Sequence, residues 1–96
     1  MDAHPGITFA DGPAGRRPRV AGTGLDVWEV VETVRANGGS PQRAAAYLEV
    51  APARVEAALS YYGAHAAEID AWAARARTLA DEEETAARRA AELVSG

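Results

Sequence analysis

The sequence contains no cysteine and no lysine. Without cysteine, neither a disulfide framework nor a thiolate metal site can form. No stretch approaches the roughly 18 consecutive apolar residues that a membrane-spanning helix needs. The first ten residues, MDAHPGITFA, lack the basic segment and the apolar run of a signal peptide. We therefore expect a cytoplasmic protein, and its 96 residues, 48% of them hydrophobic, suit one small soluble domain.

Charge is distributed unevenly along the chain, and every basic residue is an arginine. Residues 1–65 hold six Arg against seven Asp and Glu, whereas residues 66–96 hold four against seven. An acidic protein is not an obvious nucleic-acid binder, although basic residues gathered on one face still attract phosphate. Arg16, Arg17 and Arg19 form the densest basic cluster. Two interpretations stay open for this cluster, a phosphate-binding arm and a solvated hairpin.

Residues 1–25 are predicted to form an N-terminal arm with a short β element. Two segments have strand character, residues 7–9 and residues 19–21. The sequence between them, ADGPAGRRP, is rich in turn-forming residues and predicts a loop. Because two short strands alone are marginally stable in water, they must pack on the helices or pair with another chain.

Residues 26–65 are predicted to form a three-helix core. Asp26 and Glu29 make a capping box at the start of the first helix, and a valine stripe at helical spacing follows, consisting of Val27, Val30, Val31 and Val34. Asn37-Gly38-Gly39 ends this helix. Ser40 with Pro41 begins the second helix, whose expected inner face is Ala44, Tyr47 and Leu48.

The third helix follows a three-residue turn at residues 49–51 and begins at Pro52. Ala51 is a poor cap because it has no side-chain oxygen. The spacing predicts an inner face of Val55, Ala58, Leu59 and Tyr62. The predicted outer face consists of Ala53, Arg54, Glu56, Ala57, Ser60 and Tyr61. Two short helices joined in this way predict a helix-turn-helix.

Residues 66–96 are predicted to form one long helix, because they are rich in alanine and hold no proline and no glycine before Gly96. Two heptad positions alternate along it, one holding Ile69, Ala76, Glu83 and Ala90, the other Trp72, Leu79, Ala86 and Leu93. The large apolar members Ile69, Trp72, Leu79 and Leu93 need a covering surface. The cover is the chain's own domain, a second copy in a homodimer, or a partner protein.

An ordered set of short motifs resembles the DUF433 family, small helix-turn-helix proteins with VapB45-like antitoxins among them. The first motif is matched by Gly15, Pro18, Val20, Gly22, Thr23, Leu25 and Val27. The second is Gly39-Ser40-Pro41, and the third comprises Ala58, Leu59, Tyr61, Tyr62, His65, Glu68, Ile69 and Asp70. Two positions depart from the family pattern, since Gly24 replaces an arginine and Ala51 replaces a Ser or Thr cap.

The predicted elements together give a mostly α fold. The resemblance implies a winged or ribbon-flanked helix-turn-helix, and a DNA-binding antitoxin-like transcriptional regulator of a type II toxin-antitoxin system, which neutralises a PIN-like toxin. In a helix-turn-helix the second helix of the pair enters the major groove, where Arg54 suits a guanine. The candidate DNA-binding residues are Arg16, Arg17, Arg19, Gln42, Arg43, Arg54, Ser60 and Tyr61. The alternative is a protein-interaction or dimerisation module that does not bind DNA. A basic outer face on the third helix favours the first function, and an acidic or apolar face favours the second.

Enzymatic function is not expected from this sequence. His4 is placed in a mobile N-terminus, and His65 is interpreted as a capping or packing residue. No catalytic set of Ser, His and Asp is brought together, and GPAGRRPRVAGTG lacks the lysine and the setting of a phosphate-binding loop. The acidic run at residues 81–84 is interpreted as a solvated helix face rather than a cation site. We expect no cofactor and no metal.

Overall fold

The computed structural model describes residues 4–13 and 15–95, so the parts of the predicted arm and C-terminal helix at residues 1–3, 14 and 96 lie outside the described residues. The order of elements is β1 Ile7–Gly12, β2 Gly15–Val20, β3 Leu25–Asp26, α1 Val27–Ala36, α2 Pro41–Leu48, α3 Pro52–Ala64 and α4 Ala66–Ser95. The predicted fold class is confirmed: the protein is mostly helical, with a short N-terminal β element and a long C-terminal helix.

The N-terminal hairpin is longer than its sequence suggests. β1 pairs antiparallel with β2 from Ile7 opposite Val20 to Gly12 opposite Gly15, and β3 adds a third antiparallel strand beside β2. The predicted loop across ADGPAGRRP is therefore wrong for most of its described residues. Local propensity pointed to a turn, but cross-strand pairing and the burial of Ile7, Pro18 and Val20 outweigh propensity in a sheet that packs on helices.

The first helix begins and ends where its local chemistry predicts. The backbone N–H of Asp26 donates to Glu29 Oε1 at 2.9 Å, and the Asp26 side chain accepts from the Glu29 backbone, which completes the capping box. Asn37 closes the helix, and Gly38 and Gly39 follow with positive φ. The four predicted stripe valines of α1 are all buried, which places this helix at the centre of the core.

The core lies where α1 meets α2, α3 and the start of α4. Its buried members outside α1 include Val20, Ala44, Ala45, Val55, Ala58, Tyr61 and Ile69. The predicted inner face of α2 is wrong at Tyr47, whose side chain is 75% exposed, because the small Ala44 and Ala45 let α2 approach its neighbours instead. The buried face of α3 also differs from the prediction: Tyr61 is 4% exposed, whereas Leu59 and Tyr62 are only half-buried.

The long helix α4 divides into two parts with different surroundings. Ile69 and Ala73 are buried against the rest of the protein, and Arg77 Nη1 reaches Glu32 Oε1 at 2.6 Å. Beyond that point Leu79 is 51% exposed and Leu93 is 85% exposed. We call residues 78–95 the outer half of α4 and the described residues before them the body. At 1.5 Å per residue the outer half extends about 27 Å.

None of the helices in the described part of the chain is long and apolar enough to cross a membrane.

Candidate nucleic-acid interface and the exposed helix

The α2–α3 pair has helix-turn-helix geometry. The Ser40 side chain accepts from the backbone N–H of Arg43 at 3.1 Å and caps α2, which is eight residues long. Glu49 then adopts the left-handed conformation, with φ 58° and ψ 44°, and the Val50 N–H donates to the Ala45 carbonyl at 3.0 Å. Two helices joined by three residues match the motif. The α3 N-terminus makes no side-chain capping bond at Ala51, as the sequence predicts.

Arg54 lies exposed in the first turn of α3, close to the turn that joins β2 and β3. A Cβ atom added to Gly22 would lie 3.4 Å from Arg54 Nη2, so the guanidinium rests against this glycine. Gly22 has φ +76°, a conformation that a residue with a side chain adopts only with strain. The turn between β2 and β3 therefore positions the Arg54 side chain at the start of α3.

The outer face of α3 is close to neutral rather than basic. It exposes Arg54, Glu56 and Ser60 together with Ala53, so its one arginine is matched by one carboxylate. Gln42 and Arg43 are also exposed, at the start of α2. The described part of α3 therefore lacks the basic outer face that would favour DNA binding. The arginines that this surface exposes are Arg43 and Arg54.

The predicted basic cluster is partly neutralised by Asp26. Arg17 Nε lies 3.2 Å from Asp26 Oδ2, and Arg19 Nε lies 3.1 Å from Asp26 Oδ1. Trp28 Nε1 also donates to Asp26 Oδ2 at 3.1 Å. Because Asp26 is only 6% exposed, two arginines and an indole hold a carboxylate that also caps α1. These ion pairs reduce the net positive charge that Arg17 and Arg19 offer to a phosphate.

Arg16 and Gly24 make separate contacts. The Arg16 guanidinium carbon lies 4.1 Å from the centre of the Phe9 ring, a cation–π contact on an exposed part of the hairpin. Arg19 donates to the carbonyl of Gly24. Arg19 therefore contacts the backbone of the turn that joins β2 and β3.

Tyr61 does not lie on the outer face of α3, so its predicted place among exposed DNA-binding residues is wrong. Its hydroxyl donates to Glu68 Oε1 at 2.6 Å, and its ring stacks on His65 at 4.4 Å between centroids. Phe9 and His4 approach the same ring edge-on, at 6.1 Å and 5.1 Å. The prediction considered only the helix pair, whereas the hairpin and the start of α4 cover this side of α3.

The two histidines have packing roles in this aromatic cluster. His65 is the C-cap of α3, and its backbone N–H donates to the carbonyls of Tyr61 and Tyr62. His4, expected to be mobile, instead contacts Tyr61 and lies 5.4 Å from the His65 ring. The spacing of Tyr61, His65 and Glu68 at i, i+4 and i+7 was the available sequence signal for this arrangement.

A polar network around Arg35 joins three helices. Arg35 donates to Glu32 at 3.1 Å within α1, to the Tyr62 hydroxyl at 2.7 Å and to Asp70 at 3.4 Å. The hydrogen bond to Glu32 raises the pKa of the Arg35 guanidinium, and its partial desolvation opposes that shift. Together with the Arg77–Glu32 ion pair, this network fixes the direction in which α4 leaves the body.

A groove runs beside α4 where the helix begins to leave the body. It has a volume of about 270 Å³ and is lined by four apolar residues, Trp28, Trp72, Ala76 and Leu79, and by three charged ones, Arg17, Asp26 and Arg75. The Arg75 guanidinium carbon lies 5.7 Å from the centre of the Trp72 ring. Both tryptophans of the chain therefore line this groove, and each is half-buried.

The predicted partner-binding residues fall into different environments. Ile69 is 1% exposed and belongs to the core of the body, so its predicted availability to a partner is wrong. Trp72 is half-buried in the groove, whereas Leu79 and Leu93 are exposed. The acidic residues 81–84 are exposed too, and within the described ranges no group of three or more His, Asp or Glu side chains is placed to hold a metal ion.

Comparison with known proteins gives a family and nothing finer. The sequence model of the family described as "Protein of unknown function (DUF433)" matches residues 7–62. The chain belongs to the DUF433 family. The matched range begins with β1 and ends within α3, so it covers the hairpin and the helix-turn-helix but not α4. No curated protein and no solved structure matches this DUF433 protein.

Proposed function

We propose that this chain is a DNA-binding, antitoxin-like transcriptional regulator of a type II toxin-antitoxin system. Its helix-turn-helix binds an operator through the N-terminal end of α3, and α4 associates with a second copy or with a PIN-like toxin. The observation that carries the proposal is the α2–α3 pair itself, a three-residue turn between two short helices, with Arg54 exposed in the first turn of the second helix. That is where a groove-reading helix places its base contacts.

The charge on this surface defines what kind of binding is expected. Arg54 suits a bidentate contact with guanine, while Gln42 and Arg43 suit phosphate contacts at the start of α2. Arg17 and Arg19 in the hairpin are partly exposed, but they offer less net positive charge to a phosphate, because Asp26 pairs with both. Few phosphate contacts imply modest affinity and a shallow dependence on salt concentration.

The test is binding of the full chain to a labelled duplex from the region upstream of its own coding sequence, followed by fluorescence anisotropy at several salt concentrations. Arg54→Ala is expected to weaken binding roughly 5- to 150-fold, since a base-contacting arginine contributes about 1–3 kcal/mol. Glu56→Gln is expected to strengthen binding, because it removes a negative charge beside the same groove. Arg88→Ala, in the outer half of α4, is the matched arginine control and should leave binding within about twofold.

A second candidate function is a protein-interaction module that does not bind DNA. It is favoured by the near-neutral outer face of α3, where Glu56 offsets Arg54. If the unaltered chain binds its upstream duplex no better than an unrelated duplex, this candidate replaces the first. If the chain binds specifically but Arg54→Ala and Arg43→Ala leave the affinity unchanged, the residue assignment is wrong. Copurification of this chain with a PIN-like protein encoded by a neighbouring gene tests whether the chain binds such a toxin.

A further inference from the structure

The outer half of α4 presents an apolar stripe that the body leaves uncovered. Leu79 and Leu93 are exposed on it, and small residues lie between them at the same two heptad positions, Ala86 and Ala90. We propose that this stripe pairs antiparallel with the same stripe of a second copy, and that Leu93 of each copy enters the tryptophan groove of the other. The proposal specifies the α4 association suggested above and does not depend on DNA binding.

Side-chain size favours one antiparallel register. In such a pair each residue at one heptad position faces a residue at the other position of the partner helix. One register places Leu79 opposite the partner's Ala90 and Leu93 opposite the partner's Ala76. Large residues then face small ones in both layers, which is how two helices interdigitate without gaps. A parallel pair would instead put Ala86 and Ala90 opposite themselves and leave these layers underpacked.

Charge favours the same register. It brings Glu82 beside the partner's Arg89, and the two-fold symmetry repeats this ion pair on the other side. Residues that flank a helical seam commonly select the orientation of the partner through such pairs. Ala80 then lies beside the partner's Ala87, so the small flanking residues let the two helices approach closely. A parallel pair would place Glu83 directly opposite a second Glu83, and like charges in that position repel.

The tryptophan groove fits the same register, because it lies at the layer that the register assigns to Leu93. Ala76 forms part of its wall together with Trp28 and Trp72, so a leucine that faces the partner's Ala76 meets both indoles. Leu93 is 85% exposed in the single chain and gains most from this burial. The groove, the leucine and the spacing between them are thus complementary in a pair of copies.

Glu83 limits how tightly the pair forms. The two-fold axis of this register passes between residues 84 and 85, so the two Glu83 carboxylates lie on the seam close to the axis. Their repulsion keeps the pair weak. Glu83→Ala is therefore expected to tighten association, whereas Glu84→Ala, one residue further round the helix, is the matched control and should not.

Tryptophan emission of the full chain at increasing concentration gives the first test. Because both tryptophans line the groove, pairing should shift emission to shorter wavelength as the concentration rises, in step with the mass measured by sedimentation. Leu93→Gln is expected to raise the dissociation constant roughly 100-fold or more, since two buried leucines are lost per pair. Thr85→Gln, on the side of the helix turned away from the stripe, should change neither signal.

Disulfide trapping gives the second test, since the chain has no cysteine of its own. Leu79→Cys mixed with Ala90→Cys should form a mixed disulfide under mild oxidation. Neither variant alone should form one, because two copies of residue 79 lie about 16 Å apart along the antiparallel pair and a disulfide needs Cα atoms within about 7 Å. Ala90→Cys mixed with Thr85→Cys is the matched control and should remain unlinked.

Each outcome decides the proposal. The mixed disulfide, together with the loss of association in Leu93→Gln, supports it. Disulfides formed by Leu79→Cys or Ala90→Cys alone would mean a parallel pair and would overturn it. A chain that stays monomeric at millimolar concentration, including the Glu83→Ala variant, would overturn it as well and would leave the stripe to a different protein. DNA binding measured on the same variants reports separately on the proposed regulatory function.

Discussion

The body and the outer half of α4 are both rich in alanine, yet alanine has different roles in the two regions. In the body Ala44, Ala45 and Ala58 are no more than 2% exposed, and they let helices approach a core of valines. In the outer half Ala86 and Ala90 are exposed. Alanine favours a helix in both settings, but burial requires a neighbouring element. The composition of α4 therefore specifies its helix without specifying what covers it.

The charged residues of the two regions differ in the same way. Within the body they connect elements far apart in the chain, as Arg35 does with Asp70 and Arg77 with Glu32. In the outer half Arg88 Nη2 lies 3.8 Å from Glu84 Oε1, four residues earlier on the same helix. Such a local pair contributes about 0.3–0.5 kcal/mol, whereas contacts between elements hold the tertiary structure. The body should accordingly unfold as one cooperative unit, from which the outer half is largely independent.

The largest difference is expected between two substitutions along α4. Ile69→Ala should lower the free energy of unfolding by about 3 kcal/mol, because it removes a core side chain and leaves a cavity. Leu93→Ala should change it by less than about 0.5 kcal/mol, because Leu93 is exposed in the single chain. Urea unfolding followed by circular dichroism at low protein concentration measures both. Equal effects would contradict the division of α4 into two parts.

A second contrast concerns carboxylates in the two regions. Asp26→Ala should cost about 2 kcal/mol, because it removes the α1 cap and leaves Arg17 and Arg19 without their shared partner. This figure is below that of a fully buried pair, since both arginines are partly exposed. Glu84→Ala in the outer half should cost less than about 0.5 kcal/mol. Thermal unfolding should separate the two variants by several degrees, and a stable Asp26→Ala variant would contradict the role assigned to the cluster.

A third contrast uses arginines. Arg35→Met should destabilise the protein by about 1 kcal/mol, because it removes contacts with Glu32, Tyr62 and Asp70 while it keeps the apolar stem. Arg88→Met should cost less than about 0.5 kcal/mol, since its ion pair with Glu84 is local and exposed. The change in the denaturant midpoint of each variant gives the comparison. If Arg88→Met proves the more damaging, the outer half carries tertiary contacts of its own in solution.

The smallest effect is expected from removal of the outer half itself. A chain that stops after Arg77 keeps Ile69, Ala73 and Arg77, and its body should lose less than about 0.5 kcal/mol of stability. Its sedimentation should become independent of concentration. A marked loss of stability in the truncated chain would show that the body depends on the outer half, in contrast to the exposure of Leu79 and Leu93.

Local signals in the sequence were sufficient for the helices and insufficient for the surfaces between elements. The capping box at Asp26, the valine stripe of α1 and the Ser40 cap of α2 are short-range features and were predicted with their correct roles. The buried face of α3 was not, because Tyr61 is covered by the hairpin and by α4, which lie far from it in the chain.

The candidate site shows the same limit. The exposure of Arg54 follows from its position in the first turn of α3 and was predicted. The pairing of Arg17 and Arg19 with Asp26 was not, because Asp26 already had a role as a cap and a single sequence does not reveal that one carboxylate serves both. Likewise the register of β1 on β2 depends on packing against helices, and the turn residues Gly12 and Gly15 suggested a longer loop.

The positive φ of Gly22, beside Arg54, has a consequence for how the family can vary. A Cβ at residue 22 would meet the Arg54 guanidinium at ordinary van der Waals distance, so the cost of a side chain there comes from the backbone, whose φ is +76°. In a double-mutant cycle, Gly22→Ala should therefore cost about as much stability in an Arg54→Ala background as in the unaltered chain. Residue 22 is thus restricted to glycine by its own backbone, whichever side chain stands at residue 54.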